Sequence, residues 1–217
     1  MVTAIGMVRE QLTDRPLLVC DVDEVVLEFL GPFRRFLAAN GLKLLPRSFR
    51  LHGNIVAIDT GTPIADEAVH PLIEMFFAEQ CDWQTPACDV ATTLAMLSEK
   101  ADVVFLTAMP PRHHDLRRTL LNGLDLTFPM IATEEPKGPV VADLHRGRDL
   151  PLAFIDDIAR NLASVGESVP QCLLVHLMAD REFRALMPVP DAPVICADDW
   201  AGAHRLVSKH FWAGEPA

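Results

Sequence analysis

The chain is short of positive charge. Its 217 residues carry 19 Lys and Arg against 30 Asp and Glu, a formal net charge of −11. A nucleic-acid backbone calls for a basic face, so a nucleic-acid polymer is disfavoured as a partner. Long apolar runs are missing too. None approaches the roughly 20 residues a helix needs to span a bilayer, which argues against a membrane partner. The five cysteines (Cys20, Cys81, Cys88, Cys172, Cys196) are odd in number and form no close CxxC pair. That usage fits a reduced, cytoplasmic compartment. Cys20, Cys172 and Cys196 lie in apolar, strand-like runs and read as small core residues. The opening MVTAIGMVREQLTDRP has only a short apolar patch before charges appear, so no signal peptide is expected. No internal repeat or low-complexity segment is present, and the tail AGEPA, 213–217, is expected to fray.

Half of the residues are hydrophobic, enough to bury a sizeable core in one domain with an insertion. Short apolar runs alternate with longer amphipathic ones. The strand candidates are Leu17–Val22, Asp102–Thr107, Phe128–Ala132, Leu152–Asp156, Cys172–His176 and Pro193–Ala197. Several are Val-, Ile- or Leu-rich with little alternation, as strands buried on both faces are. Helical patterns separate them: VATTLAMLSEK, PRHHDLRRTLLNG with its Asn-Gly stop, PKGPVVADLHRGRD, DIARNLASVGESV and DDWAGAHRLVSKHF, the last capped by Asp198 or Asp199. The pattern predicts an α/β fold: a Rossmann-like parallel sheet with helices on both faces. Residues 30–86 break the rhythm and read as a small, mostly helical insertion after the first strand. The core is then residues 1–29 and 87–217.

Ligands of such sheets bind at the carboxyl ends of the strands, and the chemistry-bearing residues gather there. CDVDE follows the first strand with Asp21, Asp23 and Glu24. The second ends at Thr107, EPKGP places Lys137 at a helix start, and FIDDIARN ends in Asp156 and Asp157, with Asn161 one turn on. Carboxylates this close repel one another. Oxygen ligands in such numbers call for Mg²⁺, which offsets the repulsion. A carboxylate can attack phosphorus to form an aspartyl-phosphate, and the equatorial oxygens then need cations and donors around them. A receiver domain also uses an acid pair, an acceptor Asp, a Thr and a Lys. It carries its acceptor on the third strand, however, and Phe128–Ala132 has no terminal Asp.

In that order, DVDEVV, VVFLT, EPKGP and FIDDIARN resemble the four signature segments of the haloacid dehalogenase superfamily. A weaker likeness, from DVDEVVLEF and the compact insertion, is to its deoxyribonucleotidase-like branch. The resemblance implies a Mg²⁺-dependent phosphatase acting on a small phosphorylated metabolite through an aspartyl-phosphate. The same intermediate would also serve a phosphotransferase or mutase, and a catalytically weak regulatory relative is a further alternative. Asp21 would be the nucleophile and Asp23 the general acid/base. Thr107 would hold the transferring phosphoryl group and Lys137 would clamp it. The implied metal set is Asp21, Asp23, the Val22 carbonyl, Asp156 and Asp157. Residues 30–86 would be a C1-type cap over the site. The dehalogenase branch lacks the second aspartate, so Asp23 favours phosphate esters. The phosphonatase branch uses a cap lysine, for which Lys43 is the single candidate in the insertion. Glu24 stands where the family often has Gly, and Glu adopts unusual backbone angles at a cost.

Four further residues are candidates for substrate contact: Arg112 and His113, which follow Thr107, and His52 and Asn54, in a turn of the insertion. Arg117 and Arg118 read as a solvated helix face. HPLIEMFF, 70–77, reads as packing within the insertion. Oligomeric state has no signature in the sequence.

Overall fold

The computed structural model describes residues 2–48, 50–187, 190–191 and 193–212; the 213–217 tail lies outside them. The elements in chain order are α1 (Val2–Arg9), β1 (Leu17–Cys20), α2 (Leu30–Ala39), β2 (Leu42–Leu44), β3 (Ile55–Ala57), α3 (Val69–Ala78), α4 (Gln80–Trp83), α5 (Val90–Ser98), β4 (Asp102–Thr107), α6 (His114–Gly123), β5 (Met130–Ala132), α7 (Lys137–His145), β6 (Leu152–Asp156), α8 (Ala159–Ser168), β7 (Leu173–His176), α9 (Arg181–Arg184), β8 (Ile195–Cys196) and α10 (Trp200–Phe211). Six strands form one parallel sheet in the order β5-β4-β1-β6-β7-β8. All six strand candidates are strands: Asp102–Thr107 and Leu152–Asp156 at full length, the other four shortened.

Period-2 alternation explains why β1 is apolar throughout. Leu18 and Cys20 point into one core layer, with residues of α5, α6 and α10. Leu17 and Val19 point into the other, with residues of α1, α7 and α8. A strand covered on both faces has no polar side to show. β1 lies between β4 and β6, so the connections leave it in opposite directions. That is the switch point at which α/β sheets open a crevice.

Asp199 is the cap of α10, accepting from Gly202 N at 2.7 Å. The Asn-Gly stop is a correction: Gly123 is the last residue of α6, and the left-handed residue is Asp125, with φ 59°. Cys196 is a second correction. It is exposed on the edge strand β8, while Cys20 and Cys172 are buried, and all five thiols are free.

Residues 30–86 hold α2, α3 and α4, and also an antiparallel hairpin, β2 with β3, which helical periodicity did not reveal. Their apolar cluster of Phe33, Phe36, Phe76 and Phe77 runs on into Met109, Met178 and Phe183 beside the rim of the sheet. Among the described residues, no helix is long and apolar enough to cross a membrane.

Candidate active site

The end of β1 carries the first acid. Asp21 N donates to the Ile155 carbonyl at 2.9 Å, so Asp21 continues the sheet register beside β6. Lys137, first residue of α7, is buried and reaches both Asp21 Oδ1 at 2.5 Å and Asp156 Oδ2 at 2.6 Å. α7 can approach closely because its second residue is Gly138, where a Cβ would run into the Ser164 carbonyl of α8. Asp21, Asp156 and Asp157 place carboxylate oxygens within 4.8 Å of one another, all buried. One ammonium therefore faces three carboxylates.

The electrostatics follow. Burial drives the Asp21 carboxyl up to about 7, against the pull of Lys137 and with a push from Asp156 and Asp23. Asp157 is raised well above the ordinary range, first by burial, then by Asp156 and Asp21. Burial works against the Lys137 ammonium, but Asp156 and Asp21 prevail and hold it above the ordinary lysine range. An all-oxygen, buried trio with excess negative charge fits Mg²⁺ by charge and by donor type.

Within the trio the two acids of FIDD have different surroundings. Asp156 is enclosed: Lys137, the Ile158 amide at 2.7 Å and the Asn161 amide at 3.1 and 3.2 Å occupy its oxygens. Asp157 takes no side-chain hydrogen bond among the described residues and lines the cavity beside Asp21. His176 bonds the Asp157 carbonyl at 2.9 Å and steadies it from behind.

Two of the expected metal donors have protein partners of their own. The Val22 carbonyl accepts from Val26 N at 2.9 Å and Leu27 N at 2.8 Å. Two amides fill its two lone pairs. The Asp23 side chain stands outside the trio. Arg117 grips it with two nitrogens at 2.9 and 3.1 Å, Gln84 Nε2 donates at 2.9 Å and Thr107 Oγ1 at 3.3 Å. It still lines the same cavity as Asp21.

Arg117 is the residue beside Asp23 that sequence reasoning misplaced. It is fully buried, not solvated. Besides Asp23 it bonds Gln80 Oε1 and, at 3.0 Å, Gln84 Oε1, and its guanidinium lies 5.6 Å over the Phe77 ring. A signal was present: Arg117 shares a helical stripe with Leu120 and Leu121, the other buried residues of α6. A solvated face has no such partners. Arg118 is also tied down, donating to the Phe128 carbonyl at 2.6 Å and to the Leu126 carbonyl.

Thr107 is engaged in the turn that follows β4. It is buried, and its hydroxyl accepts from Met109 N at 3.0 Å while facing Asp23. It closes the turn after β4, as a Thr hydroxyl does two residues ahead of an amide. Ala108 and Met109 line the cavity in its place.

None of the four substrate-contact candidates lines the cavity. Arg112 and His113 both turn to Glu74 of α3, His113 at 2.9 Å, and so tie the core rim to the insertion. His52 is exposed. Asn54 is buried and donates to Ser48 Oγ at 2.9 Å and the Arg50 carbonyl at 2.7 Å, shaping the loop whose Arg50 and Leu51 do line the cavity. Lys43 is exposed on β2 and lies away from the cavity.

Glu24 takes up the strained angle directly, with φ 67°, a left-handed conformation that costs a non-glycine residue on the order of 1 kcal/mol. Its buried carboxylate offsets that cost. It accepts from Phe29 N at 3.1 Å and Leu30 N at 2.8 Å at the start of α2, and from Asp180 N at 2.5 Å just before α9. Burial raises this carboxyl, against those hydrogen bonds.

No protein-family model matches the sequence, and no curated protein matches it. Solved structures match over nearly the whole chain. A structure described as a predicted phosphoglycolate phosphatase from Haemophilus somnus 129PT aligns with TM-score 0.59 at 15% identity, covering 90% of this chain and 99% of its own. A haloacid dehalogenase-like hydrolase from Xanthomonas campestris aligns with TM-score 0.56 at 16% identity, over 91% and 92%. A HAD-family hydrolase from Deinococcus radiodurans R1, with bound phosphate and sodium, gives 0.56 at 14%, over 89% and 95%. The chain shares the fold of these haloacid dehalogenase-like structures.

Proposed function

We propose that the protein is a Mg²⁺-dependent phosphatase that hydrolyses a small phosphorylated metabolite through a phospho-Asp21 intermediate. The observation that carries this reading is Asp21 pinned by buried Lys137 on a cavity floor shared with Asp157, with Asp23 two residues on and facing the same space. A carboxylate oxygen of Asp21 forms the bond to phosphorus as the ester P–O bond breaks. Asp23 delivers a proton to the departing alkoxide and, in the second half, takes one from the water that cleaves the acyl phosphate. Arg117, Gln84 and Thr107 set the direction in which its carboxyl works. Lys137 holds Asp21 in place and stands beside the transferring charge.

Asp21 and Asp157 are the side chains on the page that would hold Mg²⁺, with Asp156 keeping Lys137 in position. Bound Mg²⁺ supplies positive charge to the phosphoryl oxygens. Phosphate release from a panel of esters with and without Mg²⁺ tests the reading. Asp21→Asn should lower kcat by about 10³-fold or more, the scale on which removing a nucleophile acts, while the folded protein persists by circular dichroism. No release from any ester under Mg²⁺ would overturn it. Transfer of phosphate to an added alcohol in preference to water would reassign the protein as a phosphotransferase or mutase.

A further inference from the structure

The floor of the cavity is polar and its walls are not. Above Asp21, Lys137, Asp157 and Asn161 lies a space of about 340 Å³ walled by Phe29, Leu51, Phe77, Met109, Ile158 and Phe183. This volume is ordinary for a small-molecule site. Two other acids stand at its edge: Glu24 accepts three amides, and Asp23, oriented by four side-chain donor groups, is committed to the reacting oxygen rather than to the body of the leaving group. Arg50 alone adds a charged side chain from the insertion.

The walls are also held. Phe29 stacks on Phe33 at 5.3 Å and packs against Phe77 at 6.0 Å. Phe77 carries the Arg117 guanidinium on one face. Phe183 donates its amide to Asp180 at 2.9 Å and has the Arg34 guanidinium 5.0 Å over its ring. Glu24 fixes both chain segments that supply Phe29 and Phe183, through the Phe29 and Asp180 amides.

We propose that the substrate's leaving group is an apolar body, aryl or branched alkyl, so that the favoured substrates are phosphate monoesters of hydrophobic alcohols. The inference rests on the phosphatase reading of this site and names its substrate class. A polyol phosphate would bring several hydroxyls against aromatic and aliphatic walls with almost no partner for them. Each would lose its water hydrogen bonds unrepaid. An apolar body loses nothing by that exchange and gains by leaving water.

The test compares esters of similar leaving-group acidity in the full-length protein with Mg²⁺: 2-phenylethyl and 3-methylbutyl phosphate against glycerol 1-phosphate and glucose 6-phosphate. The expected result is a kcat/KM at least tenfold higher for the apolar pair, with Phe77→Asn cutting that advantage at least tenfold and Phe77→Leu preserving it. Calorimetric titration of the Asp21→Asn protein with 2-phenylethyl phosphate and with glucose 6-phosphate reads the preference without turnover, at least tenfold tighter for the former. Equal or tighter binding of glucose 6-phosphate overturns the inference and leaves the phosphatase reading standing. Tighter binding of the phenylethyl ester with no turnover by the unmutated protein overturns the phosphatase reading and leaves the apolar preference standing.

Discussion

Two buried cations serve the two aspartates of CDVD, and they are of different kinds. Lys137 faces three carboxyl groups, and burial with their mutual repulsion raises Asp21 and Asp157. Arg117 meets one carboxylate with a two-pronged grip, and glutamine amide oxygens take further N–H groups. The first arrangement is incomplete and asks for a further cation. The second is balanced, and it couples Asp23 of the core to Gln80 and Gln84 of the insertion. The same strand end thus presents one acid with room for a metal beside it and another held for a different task.

Breaking the floor should cost most. Lys137→Met leaves Asp21, Asp156 and Asp157 together without a cation, and removing one partner of a buried pair costs about 3–5 kcal/mol. Chemical denaturation should show a loss of that size, and Mg²⁺ should recover part of it. A loss below about 1 kcal/mol would mean the trio is better solvated than its burial indicates.

Breaking the Arg117 grip should come next. Arg117→Met should cost about 2–4 kcal/mol, because Asp23 keeps Gln84 and Thr107 and reaches the cavity. Adding Asp23→Leu should restore part of the stability, since the two residues share one interaction. Strict additivity of the two changes would show that the pair is not coupled.

Glu24→Gly sharpens the contrast between strain and connection. Glycine relieves the φ of 67° but strands three amides, so stability should fall by about 1–2 kcal/mol net. A gain in stability would mean the backbone strain outweighs the links to α2 and α9.

The partly exposed tie through Glu74 should matter least. Hydrogen bonds from Arg112 and then His113 pull its carboxyl from 4.5 to about 2. A lowered acid stabilises the fold above its unfolded value, and that contribution is lost as pH falls through 4.5 towards 2. Glu74→Gln should shift the denaturation midpoint only slightly at pH 7, as exposed ion pairs do. The difference between the two proteins should shrink on acidification. A difference that grows instead would reverse the sign of the linkage.

The sheet was legible because its strands are buried on both faces, which writes short continuous apolar runs such as LLVC and LAFID into the chain. The floor was legible for a related reason. Residues that follow parallel strands must share one rim, so Asp21, Asp156, Asp157 and Lys137 could be brought together from order alone. The insertion was read less well, because its hairpin strands are three residues each and its packing is aromatic, which period alone does not resolve.

Which side chains turn into the cavity was decided only by tertiary structure. Asn54 looked like a ligand and is a loop brace; Arg50, four residues earlier, lines the cavity because that brace shapes its loop. Arg112 and Arg117 sit five residues apart on one basic stretch. One reaches a half-buried glutamate of the insertion, and the other is buried against Asp23. Sequence sets which residues share a rim, through strand order and side-chain period. The side chosen by a long flexible cation depends on partners from distant segments, here Gln80, Gln84 and Glu74, and no local pattern encodes them. Even Glu24, whose cost the sequence announced, drew its return from amides at residues 29, 30 and 180, brought together only when the chain folds.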